Sequence, residues 1–227
     1  MKRRLQIAAG KVALLCIDLQ EEHRQDKRYL VNGFDQVLAN VQALQAAARG
    51  KAVPLIHAAY VVDSAKGKPR PFHPVMADGS SAFSNKDDPL SALCAETAPL
   101  PGERVIIKDA ASVFSDVGFA AGLRSAGIDW LVIAGVWTEA CIDATVKDAV
   151  AEGFRVMLVK DACGSASIAM HQTGILNLAN RLYGGVVTDT RQARRALGGE
   201  AIDAWMVEGS VPLRFTYENA AALYDQL

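Results

Sequence analysis

The chain predicts an α/β fold, a three-layer α/β/α sandwich around a six-stranded, mostly parallel sheet. Three observations lead there. Apolar runs alternate with segments of helical character along the sequence. The runs are nearly continuous, as in strands buried on both faces. The 227 residues, 51% hydrophobic and 22% charged, suffice for one large domain with a sizeable core.

Residues 12–18, VALLCID, form the first predicted strand. Phe34, Val37, Leu38, Val41, Leu44 and Ala48 then recur on one helical face, with Gly50 as the stop. Residues 52–62 are the second strand, with Pro54 at its start where a missing donor matters least. Residues 63–86 carry glycine, proline and serine without a period, as expected of a functional or mobile loop. Strands at 104–109, 129–136, 155–162 and 184–189 follow, with helical stretches around 118–126, 139–152 and 168–182 between them.

This alternation defines a domain over residues 1–190. The segment 191–227 lies outside it, yet carries Trp205, Leu213, Phe215 and Leu223. These apolar side chains need cover, and a neighbouring subunit is the expected source.

Formal net charge is −1, from 24 basic and 25 acidic residues. No nucleic-acid or membrane partner is expected of that balance; a small-molecule substrate is. The basic start and short apolar run lack the length and cleavage site of a signal peptide. The four cysteines (16, 94, 141, 163) show no C-x-x-C spacing. A cytoplasmic protein with reduced thiols follows as the expectation, with Cys16 and Cys163 as core residues.

Asp18, Lys108 and Cys141 each lie at or just after the end of a predicted strand. Taken singly, each has an ordinary reading as a turn residue, a solvated strand end or a small core residue. A parallel sheet with right-handed crossovers gathers strand C-termini along one edge, where ligands bind. There a thiol, a carboxylate that can take its proton and an ammonium that favours the thiolate would meet. Cys141 also sits at the start of a helix, whose free N–H groups suit an oxyanion. Thr138 is the expected cap.

The blocks LLCIDLQ (Asp18, Gln20), VIIKDAASVF (Lys108) and VIAGVWTEACIDATVKDA (Cys141) resemble the isochorismatase-like cysteine hydrolases, a family with nicotinamidases, N-carbamoylsarcosine amidase and ureidoacrylate amidase among its members. The likeness runs from about residue 10 to 190. It implies an Asp18–Lys108–Cys141 triad and a cis peptide bond at Val136–Trp137. It also implies an oxyanion hole from the Trp137 and Cys141 amides, and a homo-oligomer, dimer or tetramer. The expected activity is a cofactor-free amidohydrolase that splits a C–N bond of a small linear amide or carbamoyl compound through a thioester.

Isochorismatase-type vinyl-ether hydrolysis and a nicotinamidase-like activity are the alternatives. The first does not need the thiol. The second uses a metal held by an Asp-x-His pair, which this chain lacks; no metal is expected. Gln20, His57, Tyr60, Phe72 and Trp137 are the candidate substrate-binding residues, with Arg70 and His73 nearby in the loop. His171 reads as a structural or surface residue. Two positions depart from the family pattern: His23 stands where an aromatic or apolar residue is usual, and Trp137 where a small one is.

Overall fold

The computed structural model describes residues 1–227. Six parallel strands make up most of its sheet: β2 (Val12–Ile17), β3 (Leu55–Tyr60), β4 (Arg104–Lys108), β5 (Trp130–Val136), β6 (Arg155–Gly164) and β7 (Val186–Thr188). The sheet has eight strands rather than six, because β1 (Lys2–Leu5) and β8 (Ile202–Trp205) extend it beyond β7. β8 runs antiparallel to β7, and β1 antiparallel to β8. β1 is KRRL, an exposed, charged edge without an apolar pattern, which hid it from sequence reading.

Alternation along the strands divides the interior. Ala13, Leu15 and Ile17 of β2 point into one core, with Leu131 and Ile133 of β5. Helices α3 (Phe119–Ser125), α4 (Asp143–Ala151), α5 (Ile168–Ala179) and α7 (Ala220–Asp225) contribute to it. Val12, Leu14 and Cys16 point into the other, beneath α2 (Phe34–Arg49) and α6 (Thr190–Leu197). A short α1 (Glu22–Gln25) follows β2. This is the expected three-layer arrangement.

The segment after residue 190 has cover within its own chain. Trp205, Leu213, Ala220 and Leu227 join the first core, Ile202 and Ala204 the second. The reason for expecting a neighbouring subunit there, a lack of cover, therefore falls away.

The sheet order β1-β8-β7-β6-β5-β2-β3-β4 places β5 and β3 on opposite sides of β2. Chain order reverses there, and in open sheets a crevice opens above such a point. β2 and β5 approach so closely that a Cβ on Gly135 would lie 2.0 Å from the Ile17 carbonyl oxygen. Gly135 also has φ +128°, which only glycine adopts readily. This contact sets the spacing of the two strands that carry Asp18 and Cys141.

Candidate active site

Asp18 follows directly on β2 with φ 53°, a left-handed conformation that aspartate tolerates better than most residues. Lys108 is the last residue of β4, two strands away. Its side chain reaches over the end of β3, with Nζ 5.0 Å from the Tyr60 ring centroid. There Nζ donates to Asp18 Oδ2 at 2.8 Å and lies 3.4 Å from Cys141 Sγ. The Lys108 and Asp18 side chains are only 1% and 4% exposed. A lysine at that depth needs its carboxylate partner, since removing either would leave the other buried and unpaired.

Cys141 lies in a π-helical turn, Thr138–Ile142, which leads into α4. The Ile142 N–H reaches the Trp137 carbonyl at 3.1 Å, the five-residue bond of such a turn. Burial pushes the Cys141 thiol well above its ordinary pKa; the Asp18 carboxylate adds to this and the Lys108 ammonium opposes it. The resting side chain is therefore a neutral thiol. Asp18 Oδ1 is buried without a hydrogen-bond partner, the only buried orphan oxygen in the triad. The Val136–Trp137 peptide bond is cis.

A cavity of about 300 Å³ opens above the thiol, lined by Asp18, Glu22, His23, Tyr60, Arg70 and Trp137 among others. That volume suits a small molecule. A larger cleft of about 580 Å³, walled by Val61, Lys66, Lys86, Ile107, Lys108 and Asp109 among others, does not include the thiol. Chemistry favours the smaller one.

Arg70 Nη2 donates to the Tyr60 hydroxyl at 2.9 Å and meets no carboxylate. On another wall, both Glu22 oxygens accept from Ser84, through its N–H at 2.9 Å and its hydroxyl at 2.5 Å. His23 adjoins Glu22; burial lowers its pKa, so its ring is neutral near pH 7.

Tyr60 and Trp137 line the cavity as expected; three other expected ligands do not. Gln20 is fully buried and binds backbone: its Nε2 donates to the Tyr60 and Ser91 carbonyls, and its Oε1 accepts from the Tyr60 N–H. It staples the loop after β2 to the end of β3. His57 points to the opposite face of the sheet, where Nε2 meets Glu103 at 2.9 Å. Arg49 pairs with the same carboxylate through two bonds and holds it down to about 2. Phe72 is 98% exposed, away from the cavity. His73 is buried within its loop against Ser81.

Thr138 does not cap the turn; its hydroxyl donates to the Gly164 carbonyl at 3.0 Å. Glu22, Tyr29, Phe83 and Ser84 line the site without having been singled out, the last two from the 63–86 loop. Glu22 was within reach, since E-E-H directly follows D-L-Q. The others come from loops, whose course no periodicity announces.

Glu21, Cys94 and Glu96 gather within metal-ligand distance of one another. Arg24 bridges both carboxylates there, at 2.5 Å and 2.7 Å, and already balances their charge.

The sequence profile described as the Isochorismatase domain matches residues 12–192. The chain belongs to the isochorismatase-domain family. It is 37% identical to maleamate amidohydrolase of Pseudomonas putida over 114 residues, 49% of this chain and 53% of that one. Only about half the length of that relative is spanned. N-carbamoylsarcosine amidase of Arthrobacter sp. is 28% identical over 80% of this chain and 70% of its own length. Ureidoacrylate amidohydrolase of Pseudomonas syringae is 28% identical, with 80% and 82% covered. Among solved structures, a cysteine hydrolase from Pseudomonas syringae pv. phaseolicola superposes with TM-score 0.76 at 18% identity, covering 86% of this chain and 95% of that one. It shares the fold.

Proposed function

We propose that this chain is a cysteine-dependent amidohydrolase. It cleaves the C–N bond of a small linear amide or carbamoyl compound, with Asp18, Lys108 and Cys141 as its triad. The observation that carries this reading is the contact of one buried ammonium with both the carboxylate and the thiol, at 2.8 and 3.4 Å. The relatives named for maleamate, N-carbamoylsarcosine and ureidoacrylate support the substrate class.

Asp18 takes the thiol proton as Sγ attacks the carbonyl carbon. The oxyanion forms against the Trp137 and Cys141 amides; the Trp137 N–H has no backbone carbonyl partner and is free for that role. Asp18 returns the proton to the departing nitrogen as the C–N bond breaks, leaving a thioester. A water molecule then gives a proton to Asp18 and attacks the thioester carbonyl. The acid leaves, and the proton restores the thiol. Lys108 holds the positive charge that both anionic stages need.

Vinyl-ether hydrolysis protonates a carbon and would leave the Cys141–Lys108 contact without a task. Arg70, a cation without a carboxylate at the cavity wall, fits a substrate that carries its own carboxylate.

An ammonia-release screen across amide acids, ureido acids and nicotinamide tests the reading, with Cys141→Ala as control. Turnover of an amide acid that disappears in the variant supports it. Full activity of the variant on every hit would overturn the covalent route.

A further inference from the structure

Thr138 opens the turn that bears Cys141, and its single hydroxyl proton goes to the Gly164 carbonyl at 3.0 Å. His171 Nδ1, from α5, lies 2.8 Å from Thr138 Oγ1. The hydroxyl proton is committed, so Nδ1 carries the hydrogen and donates to Thr138. Burial lowers the His171 pKa to about 4, with the neighbouring Lys160 backbone opposing it, and the ring stays neutral with one N–H. Nε2 must therefore accept, and its partner at 3.0 Å is the Tyr224 hydroxyl of α7. Lys160 fixes Tyr224 from behind: Nζ donates to the Tyr224 carbonyl at 2.9 Å and sits 4.5 Å from the ring centroid. The chain of donors has one direction, Tyr224 to His171 to Thr138 to Gly164.

Packing points to the same place. A Cβ on Gly174 of α5 would stand 2.9 Å from Thr138 Cγ2, so α5 presses directly on the opening residue of the turn. Every link of the relay is more than a helical turn apart in sequence, and Tyr224 lies outside the matched residues 12–192.

The geometry points to Tyr224 and His171 as positioning residues that hold the Cys141 turn in register with Asp18 and Lys108. Tyr224 thus supports the site from the C-terminal segment, although it touches no reacting atom. The role rests on the proposed function of Cys141, but thiol reactivity can test it without any substrate. When the relay is cut, the thiol leaves its buried place beside the carboxylate and becomes more accessible, while turnover falls.

The test uses the full chain, four single variants and one double variant. Tyr224→Phe removes one hydroxyl and keeps the ring on Lys160. His171→Asn keeps a donor for Thr138 and loses the Tyr224 contact, and His171→Ala loses both. Tyr217→Phe, fully exposed in the same segment, is the control. Iodoacetamide labelling of Cys141 is followed by peptide mass spectrometry across pH, with kcat and KM for any hit of the amide screen and thermal midpoints alongside.

Tyr224→Phe and His171→Asn are expected to label several-fold faster, with the labelling profile moved to lower pH. They should show kcat about tenfold lower at unchanged KM, and their double variant should do no worse than either alone, because the links act in series. His171→Ala should lose more, and the control nothing. Labelling profiles equal to wild type in both Tyr224→Phe and His171→Ala would overturn the relay. So would losses that multiply in the double variant. If the screen yields no substrate, labelling alone decides.

Discussion

Trp137 donates its indole N–H to Nδ1 of His23 at 3.2 Å, with the two ring centroids 6.0 Å apart. The two departures from the family pattern are thus one feature. An indole N–H can only donate, so it gives its hydrogen to His23 Nδ1, which also lies 3.4 Å from the Tyr29 carbonyl, while Nε2 faces Glu22 Oε1 at 3.9 Å.

His23→Phe leaves that indole N–H without its acceptor in a half-buried place. It is expected to cost about 1–2 kcal/mol of stability in denaturant unfolding. Adding Trp137→Phe removes the second partner and should recover most of the loss. A double variant less stable than both singles would show that the pair is not coupled.

Acid should weaken the fold through its neutral histidines. Burial lowers the pKa of His23, His57 and His171, the last to about 4 from an ordinary 6.5. The unfolded chain then binds more protons than the folded one between these values. Stability is complete above about 6.5 and falls as pH drops through about 4. His171 contributes at most about 3 kcal/mol of this. Thermal midpoints from pH 8 to pH 4 should decline, and His171→Asn should flatten the decline. A midpoint that rises on acidification would contradict the assignment.

Arg70→Ala should raise KM about 10- to 100-fold for a carboxylate-bearing substrate, and far less for its neutral amide analogue. Arg70→Lys should restore only part, since an ammonium lacks the planar fork. Steady-state kinetics on the matched pair measures the difference; equal KM changes for both substrates would remove Arg70 from recognition.

Gly135→Ala puts a methyl group 2.0 Å from the Ile17 oxygen, against backbone that cannot move aside. It should cost about 3 kcal/mol or more and reduce the folded yield. Equilibrium unfolding checks this, and an unchanged midpoint would mean that β2 and β5 part more easily than their spacing implies.

The six parallel strands were legible because each is a short apolar run closed by a polar or glycine-rich turn. Asp18, Lys108 and Cys141 were legible because parallel topology turns strand ends into neighbours. Gln20 and His57 went the other way for a local reason. Gln20 spends its amide on backbone, and His57 points to the face where Arg49 and Glu103 wait. β1 escaped notice because an edge strand needs no apolar pattern, β8 because its four residues, IDAW, are too short a run to stand out, and Tyr224 because its meaning depends on His171, 53 residues away.

The central claim is that Cys141 forms the covalent intermediate. Rapid acid quench during turnover, followed by peptide mass spectrometry, tests it most directly. The account predicts an acyl mass on the Cys141 peptide during turnover, and none in Cys141→Ala. An acyl group on another residue, or undiminished turnover by Cys141→Ala, would contradict it.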